Sequence, residues 1–247
     1  MLTAAQALHD IFQRVAAHKP ETEKFIHVVR DDLGLVEGQE PEAIGVICRL
    51  LTKIRADIEQ SPHQENLKEI LRRQLTAFNP LVNFSQFHLD IKSAKANCLK
   101  PDNLLALLQI QMATAGTAAI PPLDDAIKEA VEALRDSWDE LHRLELPKQV
   151  KDALAKRMNQ VISALDHYYQ YGPDGLEPLL EGLLGQLALQ SKVTKPEAKS
   201  FYSKAVGALL KICGAVAVAN KVYSETDTLV HNGNDIIGLL GEMSDKF

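Results

Sequence analysis

The residues most able to do chemistry in this 247-residue chain are its eight histidines, which bind metal ions and move protons near neutral pH. No two of them form an HxxxH pair, and HExxH does not occur. Asp139-x-x-His142 is the one near match to the Glu-x-x-His element of a di-iron site, which needs two such elements. His88-Leu89-Asp90 could supply ligands, although a solvated or capping histidine is the more common role. We therefore predict no metal site and no cofactor.

Motifs for nucleotide binding and nucleophilic catalysis are missing from the sequence. GxxxxGK[ST], GxGxxG and GxSxG do not occur. The three cysteines (Cys48, Cys98 and Cys213) lie far apart, and none has a neighbouring histidine to activate it. We predict that they are reduced thiols in helix cores.

One segment, RDSWDELH, carries an arginine and a histidine at a spacing known from RNA-cleaving enzymes. Arg135 and His142 match the Arg-x(4–6)-His pattern, and in this the segment resembles HEPN ribonucleases, an all-helical, usually dimeric family. The resemblance implies that Arg135 binds the scissile phosphate and that His142 assists attack by the 2′-hydroxyl. The alternative interpretation is a solvated charged helix face beside a buried Trp138.

The elements that position these residues are predicted to be helices throughout. Aromatic residues make up only 5% of the chain, and no alternating strand pattern competes with helical spacing. The formal net charge of −6 argues against a nucleic-acid binder held by bulk electrostatics. We predict an all-α fold, an irregular bundle of about 8–9 helices with a central antiparallel helical hairpin.

Helix signals in the first half are regular as far as residue 78. Thr3 is predicted to cap a helix that runs to about Lys19, and Pro20 to begin a second helix that stops at Gly34. Two apolar stripes then predict a third and a fourth helix, one through Ile44, Ile47, Leu51, Ile54 and Ile58, the other through Leu67, Ile70, Leu71, Leu75 and Phe78. Residues 79–100 are irregular, and Pro101 begins a compact apolar helix, Leu104 to Met112.

The second half predicts a hairpin followed by two apolar helices. Its arms, 123–145 and 147–171, carry opposite net charge, and the second arm stops at Tyr171-Gly172-Pro173. A leucine-dense helix, 176–189, is expected to be buried on more than one side. The final helix, 195–223, has one apolar face, formed by Phe201, Ala205, Ala208, Leu209, Ile212, Val216, Ala219 and Tyr223.

Five lysines fall on the opposite half of that final helix: Lys195, Lys199, Lys204, Lys211 and Lys221. A basic face of this kind can bind a partner's groove or an anionic membrane surface, and its simpler role is solvation. The small, proline-ended stretch Ala113–Pro122 is the best linker candidate. It separates an N-terminal helical subdomain, 1–115, from a C-terminal helical subdomain, 121–247, unless the two form one continuous domain.

Residues 121–190, which include LPKQVKDAL and YGPDGLEPLLEGLLGQLAL, resemble the central part of uncharacterised bacterial helical proteins. In those proteins a helical hairpin, a tyrosine-glycine turn and a leucine-rich helix precede an apolar C-terminal segment, and the genes often lie among mobile-element or phage-defence genes. The resemblance implies a bacterial accessory, sensor or effector protein, and it transfers no site residue.

We predict a non-enzymatic protein that binds another protein, as a hetero- or homo-oligomer, in the bacterial cytoplasm, in a stress or defence context. No specific nucleic acid is expected as a partner. The expected contact surfaces are the charged faces of the 123–171 hairpin and the five lysines. Two alternatives stay open: a membrane-acting effector that uses segment 205–241, and a HEPN-like ribonuclease that uses Arg135 and His142.

Overall fold

The computed structural model describes residues 3–83, 88–115, 126–191 and 198–221. Within these ranges the chain forms ten α-helices and one 3-10 helix, Thr76–Val82, and the β-type pairing is a single isolated bridge. The predicted all-α class is thereby confirmed, with slightly more helices than expected. The helices are α1 (Ala4–Ala17), α2 (Phe25–Asp32), α3 (Glu40–Gln60), α4 (Glu65–Leu75), α5 (Ile91–Asn97), α6 (Pro101–Thr114), α7 (Ala126–Arg143), α8 (Lys148–Asp166), α9 (Tyr168–Ser191) and α10 (Lys199–Lys221).

The chain divides into two compact units. The first comprises Met1–Ile120 and His167–Gly172, and the second comprises Pro121–Asp166 and Pro173–Phe247. The second arm of the hairpin ends earlier than predicted, because α8 stops at Asp166, while the predicted break in helical geometry at Gly172 is present. The glycine interrupts α9, with φ 64° and ψ 169°, a backbone conformation that glycine adopts readily.

Helix α1 lies at the centre of the first unit and packs against α2, α3, α5 and α6. Its N-cap is the predicted one: the Thr3 hydroxyl oxygen accepts a hydrogen bond from the Gln6 amide at 3.2 Å. The Phe12 ring is fully buried, and its centroid lies 6.2 Å from that of Phe25 and 5.3 Å from that of Phe78. These three rings join α1 to α2 and to the 3-10 helix.

We expect Phe12→Ala to lower the free energy of unfolding by about 3–5 kcal/mol, because it removes the central ring of this cluster and leaves a cavity. The measurement is urea unfolding followed by far-UV circular dichroism. Phe12→Leu, which keeps most of the volume, should cost clearly less. Equal losses for the two variants would contradict the central role of the ring.

The start of α2 differs from the prediction. Pro20 does not begin the helix, and Lys24 is the residue that precedes its first turn. The Phe25 amide donates a hydrogen bond to the Leu89 carbonyl oxygen at 2.8 Å, and neighbouring backbone groups bond in the same way. Because residues 21–25 pair with a segment far along the chain, they cannot form a helical turn. The predicted end at Gly34, where φ is 66°, is confirmed.

Asp57 of α3 is a buried acid in the first unit, with only 2% of its side chain exposed. Its partner is Lys53, one helical turn earlier, whose Nζ lies 3.3 Å from the carboxylate Oδ1. Burial raises the pKa of the Asp57 carboxyl, and the attraction of Lys53 only partly opposes this. The charged form of this side chain therefore opposes folding.

We expect the free energy of unfolding of Asp57→Asn to increase relative to that of the wild type as the pH rises from about 4 to about 7. A carboxyl whose folded-state pKa is raised contributes stability at low pH, and that contribution is lost as the pH rises through the raised pKa. The asparagine keeps the shape but does not titrate. Urea unfolding of both proteins across this pH range measures the difference, and a difference that does not change with pH would contradict the assignment.

The second unit contains the predicted hairpin. Helices α7 and α8 run antiparallel: the Trp138 indole donates a hydrogen bond to the Ala155 carbonyl oxygen at 3.3 Å, and Lys151 Nζ donates to the His142 carbonyl oxygen at 3.2 Å. Helix α10 packs on α7. Most of its predicted apolar face is confirmed as buried, namely Phe201, Ala205, Ala208, Leu209, Ile212 and Val216.

Other predictions fall partly or wholly outside the described residues. The predicted linker Ala113–Pro122 begins inside α6, which continues to Thr114, and its residues 116–122 are not described. The side chain of Ala219 and the whole of segment 222–247 also lie outside the description. Among the helices that are described, none combines the length and the apolar character needed to span a bilayer.

Candidate interaction surface

Arg135 and His142 lie two turns apart at the surface of α7. The guanidinium of Arg135 pairs with Asp166 of α8, and its Nε lies 3.5 Å from the carboxylate of Glu132. The His142 ring donates from Nδ1 to the Trp138 carbonyl oxygen at 2.8 Å, and its centroid lies 4.3 Å from that of the indole. Each side chain thus has a contact within the hairpin, and a phosphate at Arg135 would share the guanidinium with the carboxylate of Asp166.

The remaining candidate ligands are not clustered. No group of three or more histidine, cysteine or acidic side chains that could hold a metal ion occurs among the described residues. His88 is exposed, and Asp90 is the N-cap of α5, where its carboxylate accepts the Ser93 amide at 2.7 Å. Hydrogen bonds from Ser93 lower the pKa of Asp90. The His88-Leu89-Asp90 segment therefore leads into α5, and it is not part of a metal site among the described residues.

The three cysteines are free thiols. Burial raises the pKa of Cys48, Cys98 and Cys213, the last to about 11, where nearby Glu181 adds to the effect. A thiol with a raised pKa stays protonated at neutral pH and is a weak nucleophile. The cysteines therefore do not supply an activated nucleophile.

Of the five predicted partner-binding lysines, three have described side chains. Lys199, Lys204 and Lys211 are exposed on α10, which agrees with a basic surface there. Lys204 Nζ lies 3.2 Å from a carboxylate oxygen of Glu140 on α7, and part of this charge is therefore used inside the second unit. Lys195 and the side chain of Lys221 lie outside the described residues.

The first unit offers a different surface, centred on α6. This helix is apolar around its whole circumference, and the chain carries no charge between Asn103 and Ala115. One face of α6 is buried, through Ala106, Leu107, Ile110 and Thr114, in a helix that contacts α1, α3 and α4. On the other side Met112 is 80% exposed and Leu105 is 53% exposed. Helix α6 therefore presents large apolar side chains to solvent.

Helix α4 has the same property. Leu71 and Leu75 are buried, but Ile70 is 53% exposed and Leu67 is 39% exposed. These two residues lie one helical turn apart, on the side of α4 that no described helix covers. Two neighbouring helices of one unit thus expose large apolar groups.

Two hydrogen bonds place these exposed groups side by side. The His63 imidazole, just before α4, donates to the Ala113 carbonyl oxygen at 2.9 Å, and Gln74 of α4 donates to Gln109 of α6 at 3.0 Å. Gln74 lies one turn from Ile70, and Gln109 lies one turn from both Leu105 and Met112. We call the surface formed by Leu67, Ile70, Leu105 and Met112 the α4–α6 face.

Charges beside the α4–α6 face are compensated locally. Arg72 pairs with Glu65 and, at 2.8 Å, with Glu59, while Arg73 lies 3.2 Å from Glu69. Exposed pairs of this kind add little stability, about 0.2–1 kcal/mol each. Their effect on the surface is to leave an apolar centre with an electrically neutral edge.

The exposure of these four side chains did not follow from the sequence. Leu67 and Ile70 belong to the apolar stripe that predicts the fourth helix, and Leu104 to Met112 is predicted as a compact apolar helix, without an indication of which of its sides is exposed. The sequence signal for this exposure is that α6 has no distinct polar face. A helix that is apolar all round needs cover on every side, and a helix at the surface of a small unit does not obtain it.

Comparison with known proteins assigns no family. No protein-family model matches the chain, and no curated protein or solved structure matches it either. The conclusions about function therefore rest on the residues and their geometry.

We expect opposite results from two lysine substitutions only two positions apart on α6. Met112→Lys should change the free energy of unfolding by less than about 0.5 kcal/mol, because the side chain is already in water. Ile110→Lys should unfold the first unit or cost about 4 kcal/mol or more, because it buries an unpaired charge. Urea unfolding compares the two variants, and similar losses would show that Met112 is covered in the folded protein.

Proposed function

We propose that this chain is a non-enzymatic helical interaction protein, and that it binds another protein through the α4–α6 face. The observation that carries the proposal is the exposure of Leu67, Ile70, Leu105 and Met112 on two adjacent helices with locally compensated charges. Scattered apolar side chains on a surface need no explanation, but large ones grouped on two adjacent helices are typical of a protein-binding site.

The composition of the face supports a protein partner. The centres of protein interfaces are poor in charged residues and rich in large apolar ones, including methionine. Methionine is flexible and polarisable, which suits it to adaptable contact surfaces. Met112 is the most exposed of the four side chains and lies on a helix segment without any charge. It is the residue that we expect to contribute most to binding.

A bacterial setting in stress or defence is part of the proposal. Its support is the resemblance of residues 121–190 to helical proteins encoded near mobile-element and phage-defence genes. We propose a cytoplasmic accessory or sensor role there. The lysines of α10 and the charged faces of the hairpin then serve to orient a partner, since exposed charges act mainly on the rate and specificity of association.

The two alternatives receive less support from the geometry. A membrane-acting effector requires that segment 205–241 be released on activation, because Leu209 and Val216 of α10 are fully buried in the folded chain. A ribonuclease needs Arg135 available for a phosphate, and Asp166 holds its guanidinium. An RNA-cleavage assay with Arg135→Ala and His142→Ala distinguishes the latter function, because both changes would abolish cleavage by such a site.

The experiment that tests the proposal is purification of the tagged full-length chain from its own host under gentle conditions, with quantitative mass spectrometry of what comes with it. We expect the double variant Leu105→Lys/Met112→Lys to lose the partner at least about tenfold, the effect of removing two central apolar contacts. Met112→Leu is the conservative control and should retain the partner.

The matched surface control is Lys204→Glu/Lys211→Glu on α10. If the proposal is correct, this variant keeps the partner protein that the α4–α6 variant loses. Loss of the partner in the lysine variant alone would move the binding site to α10 and contradict the proposal. Far-UV circular dichroism of each variant shows whether the fold is intact.

A further inference from the structure

We propose that the partner which fits the α4–α6 face is a second copy of this chain, joined to the first about a two-fold axis. This inference rests on the proposed function, because it names the occupant of that same face. The two copies pack α4 and α6 of one against α4 and α6 of the other. Four helices then bury the apolar side chains that each copy leaves in water.

Charge is the first argument for a second copy. Residues 59–75 carry three acids (Glu59, Glu65, Glu69) and three bases (Lys68, Arg72, Arg73), and residues 100–115 carry one of each, Asp102 and Lys100. The surroundings of the face are therefore neutral within a chain whose net charge is −6. Two copies can approach there without the mutual repulsion that their overall charge would otherwise cause.

The pairing of those charges within the chain strengthens the argument. Arg72 already contacts Glu59 and Glu65, Arg73 contacts Glu69, and Lys68 Nζ donates to the Glu59 carbonyl oxygen at 2.5 Å. A strongly acidic or basic partner, such as a nucleic acid or a charged peptide, finds no excess of opposite charge to bind here. A partner surface that is itself neutral and apolar does not need one.

Symmetry gives the second argument. In a two-fold interface the same patch meets itself, so that residues near the axis face their own copies. Leucine, isoleucine and methionine can do so favourably, whereas a charge of one sign on the axis would repel its copy. The four large side chains of the face meet this requirement, since Leu105 and Met112 lie on a helix segment without charge and the two charges between Leu67 and Ile70, on Lys68 and Glu69, are of opposite sign.

The size of the face predicts how strongly the copies bind. The face is small, since four large apolar side chains on helices of 11 and 14 residues form it. Weak, reversible interfaces are the small ones, which bury less than about 1,200 Å² in total. We therefore expect a reversible dimer with a dissociation constant on the order of 10 µM, not a permanent one.

The experiment is sedimentation velocity on the full chain from about 1 to about 200 µM, a range that spans the expected dissociation constant. We expect the wild type to change from monomer to dimer over this range. Leu105→Lys/Met112→Lys and Leu105→Glu/Met112→Glu should each remain monomeric, since like charges then meet across the axis. An equimolar mixture of the two variants should form a heterodimer, because opposite charges replace the repulsion. Lys204→Glu/Lys211→Glu should dimerise as the wild type does.

Several outcomes would overturn the second copy as occupant: a wild type that stays monomeric throughout, a dimer that persists in both charged variants, or a mixture that fails to associate. The host purification described above separates this failure from that of the proposed function. A monomeric chain that loses a different co-purifying protein when Leu105 and Met112 are changed has a heterologous partner at the same face. A chain that keeps every partner in those variants does not use the face at all.

Discussion

Burial of the apolar face of α1 is the constraint on which the first unit depends. Four of its large side chains are completely inaccessible to solvent, namely Leu8, Ile11, Phe12 and Val15. Four other helices supply the cover. Helix α6 contributes to that cover with the side that carries Leu107 and Ile110, which fixes its rotation about its own axis. Because side chains on a helix point in fixed directions, Met112 must then face away from the core. The exposed apolar face is thus a consequence of how the core is packed.

Ion pairs contribute less to stability than the buried apolar side chains do, and their larger effect is on the charge of the surface. Arg14 of α1 binds both carboxylate oxygens of Asp32 on α2, at 2.6 and 2.8 Å, and Arg30 donates to Glu40 on α3 at 2.5 Å. The two-pronged contact of Arg14 with Asp32 fixes the orientation of the guanidinium relative to the carboxylate and so aligns α1 with α2. On α4 the same kind of pairing removes net charge from the edge of the apolar face. The α4–α6 face is therefore an apolar region whose flanking charges cancel.

The side chains with the most familiar chemistry are occupied by contacts in the fold. Arg135 pairs with Asp166, His142 lies against Trp138, and the thiols have raised pKa values. A catalytic site needs groups that are free to meet a substrate and have a pKa near the working pH. Arg135 instead connects α7 to α8, and the thiols of Cys98 and Cys213 are buried in the core.

Much of the fold could be predicted from short-range signals in the sequence. The hydroxyl of Thr3, the ring of Pro101 and the positive φ of Gly34 act on the nearest backbone groups, so the helix boundaries that they set were predicted correctly. Helical spacing gave the all-α class and the α7–α8 hairpin, because burying one face of each helix requires that spacing.

Tertiary structure alone decided three features. The start of α2 depends on backbone hydrogen bonds to the segment that begins at Leu89, more than sixty residues further along the chain. The segment His167–Gly172 belongs to the first unit, where the Arg49 guanidinium lies 5.6 Å from the centre of the Tyr171 ring. The exposure of Ile70 and Met112 depends on which neighbours α4 and α6 have. An apolar pattern indicates that a side chain favours burial. Only the positions of distant helices determine whether another surface of the same chain covers it.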